Sequence, residues 1–299
     1  MIIEIDRSSI DADLVRRLVA AQFPQWAGLP VEPVIPGGWS NRTFRLGEEL
    51  VVRLPSAARY VAEIEKEQRW LPMLARELPL PIPEPVGLGR PGENYPWPWS
   101  IYRWIDGTPA EKGPIKDLAA FAGDLGAFLV ALRQVDTENA PPAGQHNFHR
   151  GGDLAVYAHE TEAALDLLGE AVDQAVCREI WDTALSSRWE HDPVWVHGDV
   201  SAGNLLVRDG RLSAVIDFGS SAIGDPACDL YIAWTFLDAT GRAALRRRAG
   251  LDATAWARGR GWTLWKALIV MAGRKDGAKD GWAQRVVAEI IRDYELENA

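Results

Sequence analysis

The order in which strand-like and helix-like segments follow one another constrains the fold of this chain most strongly. Short apolar runs separated by glycine-rich turns come first, helical spacing dominates after residue 107, and one small β-prone insert interrupts the helices. The main strand-like runs are 31–35, 42–46, 50–54, 85–89, 99–105, 194–196, 205–207 and 212–217. This order predicts an α+β protein with two lobes, a small antiparallel-sheet lobe over 1–103 and a larger, mainly helical lobe over 104–299.

Apolar residues at helical spacing mark the remaining segments. The predicted helices are 10–22, 59–78, 114–135, 153–168, 171–189, 230–237, 241–249, 253–273 and 281–296. Pro72 lies inside the second of these and predicts a kink or break there. Asp229 immediately precedes the helix predicted over 230–237, and we expect its side chain to cap that helix and to accept N–H bonds from the backbone of 197–199.

Composition narrows the classes of partner. The formal net charge is −10 and no basic patch is visible, so neither nucleic acid nor a membrane surface is expected as a partner. The two cysteines, Cys177 and Cys228, lie in no Cys/His cluster, which argues against a disulfide framework or a zinc site. No basic, apolar leader and no long apolar run is present, and we expect a cytoplasmic protein.

The β-prone insert carries the residues with the clearest chemistry. It contains His197-Gly198-Asp199, then Asn204 five positions after Asp199, and then Asp217-Phe218-Gly219. Phosphoryl transfer requires a carboxylate that accepts the proton of the acceptor hydroxyl, together with oxygen ligands for magnesium. Each residue alone could simply shape a turn. Both groups together, in this order and at strand ends, predict a kinase catalytic centre.

These segments give the chain its family resemblance. It resembles the aminoglycoside phosphotransferase family, which belongs to the protein-kinase-like group that includes choline, homoserine and macrolide kinases. The similarity extends over nearly the whole chain and includes the segments 36–41, 52–55, Glu67, 102–107 and 224–230. The resemblance implies a protein-kinase-like fold, a small-molecule hydroxyl as acceptor, ATP or GTP as donor and Mg²⁺ as cofactor.

The resemblance also implies roles for individual positions. Asp199 would be the catalytic base, Asn204 and Asp217 the magnesium ligands, and His197 and Asp229 the structural support of the catalytic segment. The residues expected to bind the nucleotide are Gly38, Ser40, Asn41, Arg53, Glu67, Tyr102, Arg103 and Ile105.

Two positions depart from the family pattern. Arg53 stands where protein kinases and many relatives carry Lys, and it can pair with phosphate oxygens and with Glu67 as a planar fork. A surface arginine on a strand is the alternative. The loop over 36–41 lacks the G-x-G-x-x-G pattern, so Gly37-Gly38 could instead form a plain hairpin turn.

The sequence leaves the acceptor open. An aminoglycoside-like or macrolide-like antibiotic is predicted, and the alternatives are a metabolite of the choline, homoserine or sugar type and a catalytically inactive nucleotide-binding module. A protein kinase is disfavoured, because Gly219 is followed so closely by Asp229-Leu230 that no activation loop fits. The segment 150–152 either contacts substrate or only shapes a loop. Carboxylates considered for a cationic acceptor are Asp153, Glu160, Glu162, Asp238, Glu295 and Glu297.

Overall fold

The computed structural model describes residues 5–35, 37–38, 40–273 and 281–298. The chain forms two compact units, one of residues 1–107 with 214–219 and the other of residues 108–213 with 220–299. The assignment of nucleotide binding to residues 1–103 and of catalysis to residues 104–299 concerns function, and it stays a prediction.

The first unit is an antiparallel sheet with two helices. Its elements are α1 (Ala12–Gln22), β1 (Val31–Pro33), β2 (Asn41–Leu46), β3 (Leu50–Pro55), α2 (Val61–Glu77), β4 (Pro85–Gly89) and β5 (Trp99–Arg103). The strands lie in the order β1-β2-β3-β5-β4, and every neighbouring pair is antiparallel. This is the meander of hairpins that the early strand-like runs predicted.

Alternation of side chains along the strands creates the core of this unit. In β3 the side chains of Leu50, Val52 and Leu54 are buried, while those between them are partly exposed. They pack in one apolar cluster with Phe44 of β2 and with the apolar face of α1, which begins after Asp11 caps the backbone N–H of Leu14. The sheet therefore fixes the position of the residues at its strand ends.

Helix α2 runs without interruption through Pro72, so the predicted break is absent. Pro72 removes one backbone hydrogen bond, but the buried stripe of Ile64, Leu71 and Leu74 holds the helix against its unit on both sides of the proline.

The second unit is mainly helical. Its helices are α3 (Leu118–Gln134), α4 (Ala158–Leu168), α5 (Gln174–Leu185), α6 (Ile232–Thr235), α7 (Ala239–Ala249), α8 (Ala253–Met271) and α9 (Trp282–Asn298). The strands are β6 (Thr108–Pro109), β7 (Val194–Val196), β8 (Leu205–Arg208), β9 (Arg211–Val215) and β10 (Ala222–Gly224), and the chain leaves this unit at Ala214 within β9. Strands β6, β8 and β9 form one small sheet, and β7 pairs with β10 in another. Helix α8 packs against α5 and α9, and α3 packs against α7.

The helix predicted over 230–237 is wrong in its bounds and in its cap. A 3₁₀ helix spans Pro226–Tyr231 and α6 follows it, so Asp229 lies inside the first of these helices. Asp225 is the residue that caps this 3₁₀ helix, accepting the backbone N–H of Ala227 at 3.0 Å. The short strands β6 and β10 were not predicted. Among the described helices, none combines the length and the apolarity that a membrane crossing requires.

Candidate active site

The second unit holds the segment with the predicted catalytic base. Strand β7 ends at Val196, and the chain then turns through His197 and Gly198 to Asp199. The side-chain amide of Asn204 donates to the backbone oxygen of Asp199 at 2.9 Å and to its Oδ2 at 3.0 Å. This pair of bonds fixes the Asp199 carboxylate and uses the amide nitrogen of Asn204, so the amide oxygen remains available as a ligand.

Two features hold the turn before Asp199. Gly198 has a φ of +79°, and a Cβ at this position would lie 2.5 Å from the carbonyl oxygen of Ser220, so only glycine fits. Asp229 is buried and its two oxygens accept the backbone N–H groups of His197 at 2.9 Å and Gly198 at 2.7 Å. Burial raises the pKa of Asp229, while His197 and these two hydrogen bonds oppose the rise.

The first unit holds the second predicted carboxylate in a charged network. The guanidinium of Arg53 donates to both oxygens of Glu67 at 3.2 and 3.3 Å and to Oδ1 of Asp217 at 2.9 Å. The hydroxyl of Tyr102 also donates to Glu67. Burial alone would lower the pKa of Arg53, but the charges of Glu67 and Asp217 raise it above the ordinary value. The ion pair expected between Arg53 and Glu67 is therefore present, and Arg53 forms a second ion pair with Asp217.

The predicted phosphate loop is described only in part, because Pro36 and Trp39 lie outside the described residues. Ser40 is fixed by Ser56, whose backbone N–H and hydroxyl both donate to its carbonyl oxygen, at 2.8 and 2.9 Å. Asn41 begins β2, donates to the Ser40 hydroxyl at 3.0 Å and keeps a buried Oδ1 that has no hydrogen-bond partner among the described residues. Arg7 donates to the carbonyl oxygen of Gly38.

The segment predicted to bind the base continues from β5. The backbone N–H of Arg103 donates to the carbonyl oxygen of Glu84 at 2.9 Å, and that of Trp104 donates to Glu49 at 2.7 Å. Ile105, which is partly buried, makes no backbone hydrogen bond to any described residue. The main-chain N–H of Ile105 is thus available to a ligand, whereas that of Arg103 is already used.

The two predicted magnesium ligands, Asp217 of the first unit and Asn204 of the second, each carry an oxygen of the kind that magnesium prefers. Asp217 keeps one carboxylate oxygen without a hydrogen bond from the described residues, and Asn204 keeps its amide oxygen. Magnesium prefers such oxygen ligands and is usually held by one or two protein groups plus substrate phosphates. No group of three His, Cys, Asp or Glu suited to a metal occurs in the described part of the chain.

The sequence model of the Phosphotransferase enzyme family (APH) matches residues 32–262. An aminoglycoside 3'-phosphotransferase from Escherichia coli is 43% identical over 47 residues, which is 16% of this chain and 17% of that protein.

The family match covers most of the chain. This protein belongs to the phosphotransferase enzyme family.

Solved structures agree with the family assignment at the level of the fold. The aminoglycoside 2'-phosphotransferase-IIIa complex with GDP superposes with a TM-score of 0.71 at 20% identity, over 97% of this chain and all of that one. A macrolide 2'-phosphotransferase from Brachybacterium faecium gives a TM-score of 0.62 at 21% identity, over 93% of this chain and 98% of that one. The α+β, protein-kinase-like fold predicted from the sequence is confirmed by this likeness.

Sequence reasoning missed two residues of this phosphotransferase, Glu63 and Lys66. Lys66 donates to the carbonyl oxygen of Gly219, and a Cβ on Gly219 would lie 2.8 Å from a carboxylate oxygen of Glu63. Burial raises the pKa of Glu63 to about 8, with Asp217 and Glu67 adding to the rise. Burial lowers the pKa of Lys66 to about 8. Glu63 lies four residues before Glu67 and three before Lys66 on one helix, and this spacing was the only signal available.

Proposed function

We propose that this protein transfers the γ-phosphoryl group of ATP or GTP to a hydroxyl group of a small molecule, with Mg²⁺ as cofactor. Family membership supports the reaction class. Structures with the same fold have been solved with GDP and kanamycin, with ADP, and with ATP and streptomycin, which supports a nucleotide donor and a small acceptor. A cytoplasmic location stays a prediction of the sequence.

The bond between Asn204 and Asp199 is the observation that carries the proposal. A general base must be held in one orientation while it accepts the proton of the attacking hydroxyl. Asn204 restrains Oδ2 of Asp199 and leaves Oδ1 for the acceptor. Asp229 and Gly198 fix the preceding turn, so the base is held from both sides. In this proposal Asp199 is the catalytic base, and His197 and Asp229 support it.

The remaining residues are assigned to the donor and its metal. Asn204 and Asp217 each offer an oxygen to magnesium, which when bound neutralises charge on the phosphates. Arg53, held by Glu67, would donate to phosphate oxygens. The loop residues Gly38, Ser40 and Asn41 would cover the phosphates, and the main chain of Arg103 and Ile105, beside Tyr102, would meet the base.

The acceptor is proposed from the relatives. Their names point to an aminoglycoside or a macrolide, since the solved structures of this fold include phosphotransferases of both kinds. An ordinary metabolite of the choline, homoserine or sugar type is the alternative. An inactive nucleotide-binding module is disfavoured by the presence of Asp199, Asn204 and Asp217 together.

A panel of hydroxyl compounds tests the proposal. Purified protein is mixed with ATP or GTP and Mg²⁺, and aminoglycosides, macrolides, choline, homoserine and sugars are added one at a time. We expect one class to gain the mass of a phosphoryl group as nucleoside diphosphate is released, and EDTA to stop the reaction. Nucleotide binding without turnover across the whole panel would instead support the inactive module.

A further inference from the structure

The loop over 141–152 in the second unit is anchored next to the catalytic segment. The backbone N–H of Ala143 donates to Ile223 at 3.1 Å, that of Ile223 donates to Pro141 at 2.9 Å, and that of Asp225 donates to Gly151 at 2.7 Å. These bonds tie the loop to β10, which pairs with β7, the strand that leads into Asp199. The backbone of Arg150 is therefore held at a fixed place.

Backbone strain marks the same loop. Phe148 and His149 are consecutive non-glycine residues in the left-handed region, each with a φ of 55°. The buried side chain of Asn147 holds this conformation by donating to the carbonyl oxygens of Arg150 at 2.8 Å and Ser220 at 3.1 Å. Strained residues persist where the surrounding structure holds them, and they cluster at functional sites.

The side chain of Arg150 extends from this loop. Its guanidinium lies over the rings of Trp262 and Trp265, with 5.4 Å from its central carbon to each ring centroid. It makes no hydrogen bond and no ion pair with any residue that the structure describes, and it is only partly buried. An arginine held on two indole faces keeps its planar set of donors free for a ligand.

Arg150 is close to the proposed base. A Cβ on Gly198 would lie 3.1 Å from the Cβ of Arg150. Burial raises the pKa of Tyr231, Asp199 adds to the rise and Arg150 opposes it, so both charged groups act on this one hydroxyl. The stem of the Arg150 side chain therefore lies against the turn that leads into Asp199.

Most of the carboxylates considered for a cation site already have hydrogen-bond or ion-pair partners. Asp153 and Asp238 cap the backbone N–H groups of Ala155 and Gly241. Glu160 accepts the indole N–H of Trp265 at 2.9 Å. Glu162 pairs with Arg178, and Glu297 pairs with Arg246 and Arg260. These five acids thus have partners among the described residues of the unit, while Glu295, the sixth candidate, is exposed on α9.

We propose that Arg150 binds an acidic group of the acceptor, so that the acceptor is a hydroxyl-bearing acid. The proposal rests on the proposed phosphotransfer, and for the acceptor it favours a metabolite over the aminoglycoside or macrolide that the names of the relatives point to. Tyr157 stacks on Trp265 with 3.7 Å between ring centroids, so its ring helps to hold the indole over which Arg150 lies. The chain's negative charge sets the long-range field, but the local guanidinium decides which ionic group is bound.

Three sugars with one ring and different charges test this. Glucuronate, glucose and glucosamine are titrated by calorimetry into protein without nucleotide. We expect glucuronate to bind at least about tenfold more tightly than glucosamine, and Arg150→Gln to reduce this preference to within about twofold. Arg150→Lys should keep part of it. Arg188→Gln, which removes the same charge from an exposed arginine of the same unit, should leave the preference unchanged.

Several results would overturn the proposal. Equal binding of the two charged sugars, tighter binding of glucosamine, or no detectable binding of glucuronate would each do so. If Arg150→Gln weakened only nucleotide binding, the guanidinium would serve the donor phosphates and not the acceptor. Magnesium-dependent nucleotide turnover is measured separately with wild type and Asp199→Asn, so a failure of the phosphotransfer itself is recognised independently of the sugar titrations.

Discussion

A carboxylate accepts a proton efficiently only if its orientation is fixed before the reaction. At Asp199 that orientation comes from the Asn204 amide, and the turn before it comes from the two N–H bonds to Asp229. Asn204 thus restrains the carboxylate of Asp199, and Asp229 restrains the backbone before it. Single substitutions can therefore test separately the proposed base, the proposed metal ligands and the proposed structural supports.

Asp217→Ala should weaken the use of magnesium. It removes one proposed oxygen ligand and also frees Arg53 from one of its two partners. We expect turnover to fall and the magnesium concentration at half-maximal rate to rise about tenfold or more. A magnesium titration with an unchanged midpoint would make Asp217 a residue of the turn alone.

Arg53 and Glu67 should behave as one unit. Each loses its positioning partner when the other is replaced, so Arg53→Met and Glu67→Gln should not be additive. We expect an interaction energy on the order of 1 kcal/mol in kcat/KM from the double-mutant cycle. Additive effects would mean that the bonds at 3.2 and 3.3 Å do not position Arg53 for phosphate.

Asp229→Ala should destabilise the protein as well as inactivate it. The change leaves the buried backbone N–H groups of His197 and Gly198 without an acceptor, at a cost of about 1–3 kcal/mol each. We expect Tm to drop by roughly 5 °C or more. Asp166→Ala, an exposed acid on α4, is the matched control. Lost activity at an unchanged Tm would indicate direct contact between Asp229 and substrate.

At the scale of elements, α2 does more than its sequence suggests. Lys66 lies three residues after Glu63, and Glu67 lies four residues after it. One face of the helix therefore carries two carboxyl groups and an amine toward Arg53 and the 217–219 turn. A protein kinase pattern leads one to look for a single glutamate on this helix. Because burial shifts the pKa of Glu63 and that of Lys66, we expect the stability that α2 contributes to depend on pH.

Glu63→Gln should reduce the dependence of the free energy of unfolding on pH. The pKa of Glu63 is raised in the folded protein to about 8, so the carboxyl stays protonated there while it ionises in the unfolded chain. Wild-type stability should consequently fall as pH rises from about 4.5 to 8. Glu63→Gln removes this titration. The free energy of unfolding of the variant, taken relative to wild type, should therefore be on the order of 1–2 kcal/mol higher at pH 8 than at pH 5.

The measurement is Tm against pH without nucleotide or magnesium, compared with Glu65→Gln, an exposed glutamate on the same helix. The same slope in wild type and in Glu63→Gln would show that Glu63 ionises normally.

Sequence patterns predicted this fold well where local rules apply. The sheet strands and most long helices follow from side-chain periodicity, and the pair Asp199 and Asn204 follows from spacing. The short strands β6 and β10 were missed because two or three residues carry no periodic signal. The arrangement after Gly224 was misjudged because the choice between Asp225 and Asp229 as cap depends on the catalytic segment, whose N–H groups occupy Asp229. The sequence left open whether the segment 150–152 contacts substrate, because the surroundings of the Arg150 side chain are known only when its neighbours are placed.

For the whole molecule, the likeness to known phosphotransferases is one of fold far more than of sequence. Identity to the solved structures is about a fifth, as in the GDP complex at 20%, although the fold matches over 97% of the chain. Because one fold can serve many substrates, the acceptor has to be argued from this chain's own residues.

The central claim is that Asp199 is the base in a transfer of the γ-phosphoryl group. The most direct measurement is the rate of label transfer from γ-labelled ATP or GTP to the best acceptor by wild type and Asp199→Asn, with nucleotide affinity and Tm measured on both. We predict that the variant keeps its fold and its nucleotide affinity, while kcat falls by about a hundredfold or more. A variant that retains more than about a tenth of the wild-type rate would contradict the claim.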